Sequence, residues 1–548
     1  MKKNWVLREN VPIKNYEVHN VLETILKGRG IYDFIAKGSS FGLKKYLNPS
    51  IQYLRNPEEI PNLEDAAQEI ISAVEKRKKI CVFGHDDVDG ITSSYILLQC
   101  LSELGSENHE YYIPNRIFDK FGLTENFINK MINENFELVI TVDIGTSEND
   151  AIQILKSHNI DTIIIDHHRI SNKLPAAISI VNPKINGLDF PESILAGVGV
   201  TYKVVQVINR FFRKDSIPTP SDNFSLLLTG LGTVADRVTL LDDNRIFAKY
   251  LYDNFKITDN LFFSYFIENN AESSLNEKIK KVITLLTVGR GRAGKHLGLD
   301  ILLSNTLSEV KEIYENLQNK FKKNEAEIEF TIKFLEEKYL KKSTQAIFFY
   351  YDENGEVPVE YLGLGSSYIA DKYNKPALIL SHLNETIVNA ESRGPEDFDW
   401  IKCFQKIKKN LIQFGGHKRA AGFTCIPNQV MKIEKKIEQI STEYQPNINA
   451  GEKVMIDYCV EKNEINPEFF YEIFSKMSPY GEKNFAPKFL LKNISISDLE
   501  SIKCGNLPER TDYLFDAVVS ISNSMDFSEG TRIEKIVKLV DCDCGYSD

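Results

Sequence analysis

The sequence predicts an α/β protein: two α/β lobes, the first built on a doubly wound parallel sheet, joined by a long helix and followed by a β-rich tail. Three observations carry that expectation. Short apolar runs alternate with amphipathic stretches between residues 79 and 166, the pattern of a buried parallel sheet covered by helices. Residues 307–342 keep helical spacing with no Pro and no Gly. From about residue 450 the pattern becomes short β-type segments between polar turns.

In chain order, residues 1–75 read as a mixed helix-and-loop extension punctuated by Pro12, Pro49, Pro57 and Pro61. Residues 76–306 form the first domain, with strands at 79–84, 110–114, 138–143 and 162–166 and helices at 91–104, 124–134 and 150–158. The apolar positions Val310, Ile313, Leu317, Phe321, Ile328 and Leu335 place a connecting helix at 307–342. The runs AIFFYYD, PALILSH and AAGFTCI mark strands of a second α/β domain, 343–445. VMIDYCV, KFLLKNISIS, YLFDAVVSI and KIVKLVD are expected to build an antiparallel sheet or small barrel over 450–548.

A chain of 548 residues exceeds what one hydrophobic core organises. Its 42% hydrophobic and 26% charged residues are those of a globular protein in water. No apolar run reaches the ~20 residues that span a bilayer, and MKKNWVLREN lacks the apolar core of a signal peptide, so the expected location is the cytoplasm with no membrane contact. Eight cysteines with no C-x-x-C pair argue against a disulfide framework or a zinc ribbon. A net charge of −11 argues against indiscriminate polyanion binding by the whole surface, while leaving room for a local basic groove.

The chemistry is concentrated where strands end. KICVFG runs into HDDVD, LVIT into VDIG and TIIID into HH. Ligands of doubly wound sheets collect beyond the carboxyl ends of the strands, so Asp87, Asp89, Asp143, Asp166, His167 and His168 are expected on one edge. Like charges that close need a cation. Oxygen and imidazole donors without thiolates suit Mn²⁺ or Mg²⁺, and the number of carboxylates exceeds what one ion uses. Two ions sharing a carboxylate form the arrangement for phosphoester hydrolysis. Asp86 is expected to face solvent or to support its neighbours. DVDG resembles a calcium loop, but the later ligands of such a loop are missing in Thr92–Tyr95.

HDDVDG, VDIG and DHH, in this order, resemble the first three motifs of the DHH phosphoesterases. GTVADRVTLLDDNR (232–245) is similar to their fourth, and GGHKRAAGF (415–423) to the motif of the DHH-associated domain. RGIYDF, YYIPNR, LAGVGVTYKVVQ, GRGRAGKHLGLDILLS and SPYGEKNFAPKF resemble segments of the RecJ-type single-strand-specific exonucleases within that superfamily. The resemblance implies a 5′→3′ exonuclease acting on single-stranded DNA in repair and recombination, with an oligonucleotide-binding barrel (OB-like) as its tail. It implies Asp87 and Asp143 on one ion and Asp89, Asp143, His167 and Asp236 on the other, with Asp143 bridging and His168 facing the scissile phosphate, and an imidazole at His85 is chemically competent as a further ligand of the first ion. His85 is itself a departure, since RecJ-type chains usually carry Asp there, and VGRGRAG departs from the usual Asn-Ala pair.

A 5′ end needs cations, and Arg116, Arg292 and Arg393 lie in motifs similar to those lining the family's groove, with Ser392 beside the last. Gly415, Gly416 and His417 are implied to bind the DNA backbone. In the tail, Tyr480, Phe485 and Phe489, interleaved with Lys483 and Lys488, can supply stacking. Expected partners are single-stranded DNA, single-strand-binding protein and other repair or replication proteins, with the chain a monomer. Two rival readings stand beside this one: a DHH phosphodiesterase of RNA, short oligonucleotides or cyclic dinucleotides, and a non-catalytic replication scaffold.

Overall fold

The structure is a computed structural model and describes residues 4–8, 18–37, 42–115, 122–170, 173–185, 194–212, 220–291, 294–341, 345–444, 453–460, 467–502, 504, 515–521 and 537–542. It divides into two compact units, one of Lys3–Gln318 with Lys453–Asp548 and one dominated by Asn319–Glu452. Among the described residues no helix is long and apolar enough to cross a membrane.

After a short first strand, β1 (Asn4–Leu7), the larger unit builds a five-stranded sheet from β2 (Ile80–Gly84), β3 (His109–Tyr112), β4 (Leu138–Val142), β5 (Asp161–Ile165) and β6 (Ser179–Val181). Every pairing in it is parallel and the order is β3-β2-β4-β5-β6. All residues of β2 and β4 are buried, which is why their sequences are unbroken apolar runs. Phe83, Val139 and Ile164 pack against Phe127 and Met131 of the helix Glu125–Asn133 and Ile152 and Leu155 of the helix Asn149–Ser157. The helices Val88–Glu103, Gly197–Phe212 and Pro220–Ala235 pack on one another. Elements read from the sequence over 79–166 are all present, with ends shifted by up to three residues. The three-residue β6 was too short to be seen in the sequence pattern.

Strand order places the functional edge. From β2 the chain goes outward to β3, then returns across β2 to begin β4, so the topology switches between β2 and β4. The register is flush: Gly84 pairs with Val142, Val142 with Ile165, and Ile165 with Val181. His85, Asp143, Asp166 and Asn182 are therefore the first residues beyond four adjacent strands.

The unit around Asn319–Glu452 holds β7 (Phe348–Asp352), β8 (Ala377–His382), β9 (Val388–Arg393), β10 (Gln413–Gly416) and β11 (Ala420–Cys425) in the order β10-β11-β9-β8-β7. Of these strands only β7 and β8 pair in parallel. Leu307–Lys341 is one helix, within a residue of expectation.

In the larger unit, β12 (Lys453–Ile456) pairs in parallel with β1. The tail sheet orders β13 (Tyr458–Val460), β14 (Phe489–Ile494), β15 (Phe515–Ile521) and β16 (Val537–Cys542), with β13 and β14 parallel and the rest antiparallel. Its core mixes tail residues Phe470, Phe474 and Phe489 with Val21, Leu22, Ile25 and Leu26 of the helix Val18–Gly28. Arg245, from the fourth motif, is 1% exposed and donates to the carbonyls of Tyr46, Lys476, Met477, Ser478 and Pro479, capping the helix Pro467–Met477. Arg245→Met leaves those carbonyls short of donors in a dry interior, and a loss of about 3 kcal/mol or more is expected in denaturant melts.

Candidate metal centre

The β2–helix turn presents His85, Asp86, Asp87 and Asp89 within five residues. Asp87 caps the helix Val88–Glu103, one oxygen accepting from the Gly90 amide at 3.1 Å, while Oδ2 lies 2.8 Å from His85 Nδ1. Gly90 is required here: a Cβ would stand 2.4 Å from the His85 carbonyl oxygen and 2.6 Å from its nitrogen. Asp89, in the first turn of that helix, accepts from the Gly197 and Val198 amides at 2.7 Å each, at the start of the helix Gly197–Phe212. That N-terminus favours its ionised form.

Asp143 sits between the two sides of the cluster. It leaves β4 at φ +60°, a left-handed conformation uncommon for a residue other than glycine, which turns its carboxyl into the crevice. Its Oδ2 is 3.7 Å from His85 Nδ1 and its Oδ1 is 3.1 Å from His167 Nε2. His167 Nε2 lies 3.8 Å from Asp89 Oδ2 and 3.7 Å from Asp236 Oδ2. Asp236 follows directly on the helix Pro220–Ala235.

Three overlapping sets of potential ligand atoms result: His85, Asp87 and Asp143; Asp89, His167 and Asp236; and Asp143, His167 and His168, the atoms within each set lying within 4.8 Å of one another. Burial, followed by the charge of Asp143, pushes the Asp89 carboxyl well above the usual carboxylate range. Burial and then Asp87 do the same to Asp143, and burial raises Asp236 despite the nearby His167. Asp143 Oδ1 is buried and accepts no hydrogen bond. Buried carboxylates that repel one another, set beside imidazole donors, fit a hard divalent cation.

Residues 79–231 match the model of the DHH family, N-terminal domain. The chain is 26% identical over 501 residues to the single-stranded-DNA-specific exonuclease RecJ of Haemophilus influenzae, covering 88% of this chain and 84% of that one. Residues 79–231 thus carry a DHH-family domain, and the chain is similar over most of its length to RecJ-type exonucleases. A putative prophage-derived single-strand DNA-specific exonuclease of Bacillus subtilis, YorK, is 25% identical over 515 residues, 87% of this chain and 83% of that one. The chain spans 56% of the length of B. subtilis RecJ. The crystal structure of RecJ in complex with Mn²⁺ from Thermus thermophilus shares the fold, with a TM-score of 0.77 at 19% identity over 98% of this chain and 79% of that one.

Asp166 stands outside the three sets. Its Oδ1 accepts from the His167 amide at 2.7 Å, the His168 amide at 3.1 Å and His168 Nδ1 at 2.8 Å, and its Oδ2 from the Thr146 amide at 3.0 Å. Burial alone would raise this carboxyl, but the bonds from His168 and Thr146 hold it well below the ordinary range. It stays ionised and orients His168, whose side chain is 52% exposed beside the buried His85 and His167. Asp86 is not solvent-facing: it is 1% exposed and accepts from Arg290 Nε at 2.7 Å.

Sequence reasoning passed over Asn182, Lys184 and Gly197. Asn182 Nδ2 donates to the His168 carbonyl at 3.0 Å and to Thr146 Oγ1 at 3.1 Å, while Lys184 Nζ donates to the His167 carbonyl. With Asp166 holding both amides, the His167–His168 backbone is bound on all four polar atoms. The signal was VNPK following a short apolar run, where an asparagine stands flush with three strand-end ligand candidates. Asn182→Ala is expected to lower turnover by about 10–100-fold with a folded protein, read in steady-state kinetics beside circular dichroism.

Arg116 and Arg292 lie outside the described residues. In the unit around Asn319–Glu452, Ser392, Arg393, Gly415, Gly416 and His417 come together at the β9, β11 and β10 ends, where Ser392 pairs with Ala421 and Ala421 with Gly416. Gly416 has φ +121° and a Cβ would meet the Ala420 oxygen at 2.5 Å, whereas a Cβ on Gly415 meets nothing within 4 Å. His417 is exposed at the hairpin turn, its amide donating to Ala420 at 2.7 Å. The Ser392 hydroxyl is buried and donates to the Ala421 carbonyl at 2.6 Å, so it serves the sheet. Of the tail aromatics, Phe489 is core, Tyr480 donates its hydroxyl to the Phe474 carbonyl, and Phe485 is 53% exposed.

The raised carboxyls set a pH dependence. A folded-state pKa above the unfolded one means the native cation-free protein holds protons more tightly, so stability falls as pH rises from the ordinary Asp range through the raised values of Asp89, Asp143 and Asp236. Asp166 has the opposite sign, and its contribution is lost only in strong acid. Melting temperatures in EDTA are expected to drop as pH rises above the ordinary Asp range, and Mn²⁺ to raise them more at higher pH than at lower.

Proposed function

We propose that the chain is a single-stranded-DNA-specific exonuclease that hydrolyses phosphodiester bonds in the 5′→3′ direction, with two divalent cations, Mn²⁺ or Mg²⁺. The observation that carries this reading is the sharing of Asp143 between a His85/Asp87 group and a His167/His168 group, the latter linked through His167 to Asp89 and Asp236. The names of the relatives supply the substrate: the matched proteins are single-stranded-DNA-specific exonucleases, and crystal structures of RecJ hold Mn²⁺ and Mg²⁺.

In this reading His85, Asp87 and Asp143 hold one ion, and Asp89, Asp143, His167 and Asp236 the other. When bound, such a pair supplies an acidified water and neutralises charge on the departing oxygen. The chain's own contribution is to hold the reacting groups. Asp89 is fixed by the Gly197 and Val198 amides, and the His167–His168 turn by Asp166, Asn182 and Lys184. His168 Nδ1 is engaged by the Asp166 carboxylate, which fixes the ring's orientation and leaves its other nitrogen to donate to phosphate oxygens as they gain charge. Arg116, Arg292, Arg393, Gly415, Gly416 and His417 are proposed to bind the strand's phosphates, with Ser392 supporting β9 from within the sheet.

The domain reading accompanies this: an extension to residue 75, a catalytic domain over 76–306, a connecting helix, a DHH-associated domain over 343–445 and an OB-like tail that offers Phe485 for stacking. Contact with single-strand-binding protein and action as a monomer belong to the same proposal.

The test is Mn²⁺-dependent cleavage of single-stranded DNA, duplex DNA, RNA and a dinucleotide, each labelled at one end, beside Asp143→Asn. Mononucleotide release from the 5′ end of single-stranded DNA is the expected result. Cleavage confined to RNA or dinucleotides would replace the substrate, release from the 3′ end would replace the polarity, and no cleavage of any would remove the enzyme.

A further inference from the structure

Asp86 is the one carboxylate of the 85–89 turn that none of the potential ligand sets includes, and it is 1% exposed. A buried carboxylate adjoining two candidate ligands is costly unless a cation answers it. Arg290 does so, with Nε 2.7 Å from Asp86 Oδ2, across 204 positions of sequence.

The arginine is itself anchored. Its neighbour Gly291 accepts from Asn115 Nδ2 at 2.8 Å, and Gly294 accepts from the Ile113 amide at 2.9 Å. Arg290 also forms a β-bridge with His296, whose Nδ1 accepts from the Gly298 amide and caps the helix Leu297–Leu303. Gly294, at φ +78°, lies so close to the Tyr112 ring that a Cβ would stand 2.3 Å from it. The guanidinium therefore meets Asp86 from a fixed frame built on the end of β3. On its helix side the same turn is pinned by Gly90 against the His85 backbone.

We infer that Asp86 and Arg290 form a positioning pair for the first cation, locking the turn so that His85 and Asp87 converge with Asp143. The inference rests on the two-ion reading and concerns only the His85/Asp87/Asp143 side of it. Its charge logic makes a distinctive demand. Asp86→Asn leaves a fixed positive charge beside the first ion, whereas Asp86→Asn combined with Arg290→Met removes both charges at once.

The experiment is Mn²⁺ titration of the full-length protein by calorimetry, with His85→Ala as the reference for losing the first site and thermal denaturation as a control for folding. Wild type is expected to bind two ions. Asp86→Asn should weaken the first by about 10–100-fold, leave the second within about twofold, and have no further effect in the His85→Ala background. The double variant Asp86→Asn/Arg290→Met should recover part of the loss. Two sites of wild-type affinity in Asp86→Asn, or equal weakening of both, would overturn the inference while leaving the two-ion centre standing. A wild-type protein that binds no Mn²⁺ would overturn both.

Discussion

Asp143→Asn is expected to abolish Mn²⁺-dependent cleavage, with a fall of at least about 10³-fold in kcat, because among the described residues it removes the carboxylate common to the His85/Asp87 group and to His167. Asparagine tolerates the φ of +60° that this position holds, so the backbone survives the change and the loss is one of charge. The same substitution removes a buried carboxylate pushed up by burial and by Asp87, and cation-free Asp143→Asn is therefore expected to melt no lower than wild type at neutral pH. Added Mn²⁺ should raise its melting temperature less than it raises that of wild type. Retained activity, or an undiminished Mn²⁺ shift, would show that Asp143 does not join the two halves of the centre.

Gly197→Ala is expected to be nearly as damaging although Gly197 offers no side chain. A Cβ there would stand 2.6 Å from Asp143 Oδ1 and 2.7 Å from Asp143 Cβ, distances no packed pair tolerates. Either Asp143 shifts by about 1 Å or the helix start moves and takes the two amides from Asp89, and a displacement of that size costs on the order of 10²-fold in turnover. Gly199→Ala, two residues further along the helix, meets the Leu195 side chain at 3.2 Å and the Phe247 ring at 3.6 Å and is the control. Equal, small effects of the two substitutions in steady-state kinetics would remove the assignment of Gly197 to the centre.

The strand-end residues were legible because a parallel sheet forces apolar runs on buried strands and leaves the polar residues to begin where each strand stops. Flush register then brings His85, Asp143 and Asp166 together without further information. What could not be read was the division of labour among them. Asp166 is as acidic in sequence as Asp143, yet it spends its oxygens on the Thr146, His167 and His168 donors. Asp86 is as polar as Asp87, yet the alternation of side chains at the strand exit sends it to Arg290, a partner no local pattern discloses. Gly197 and Asn182 were missed for a related reason: their roles are exercised through a backbone amide and a carboxamide, groups that carry no charge signature. In the tail, β13 pairs with β14 in parallel where an all-antiparallel sheet or barrel was the expectation, since strand direction depends on the helix Pro467–Met477 that intervenes.

The pairing of β1 with β12 and the shared core of the Val18–Gly28 and Pro467–Met477 helices also bear on how the chain is made. Leu22 and Ile25 leave the ribosome well before their partners Phe470 and Phe474, which follow more than 440 residues later, a wait of about 20–90 s at ~5–20 residues per second. Through that interval the amino-terminal helix has no completed core to enter and its apolar face is available to chaperones or to neighbouring nascent chains. The sheet that carries the candidate ligands, complete at Val181, and the last of those ligands, Asp236, have no such delay. Vectorial synthesis thus separates an early catalytic half from a late closure step, and a truncation before residue 450 is expected to leave an insoluble product even though every candidate ligand is present.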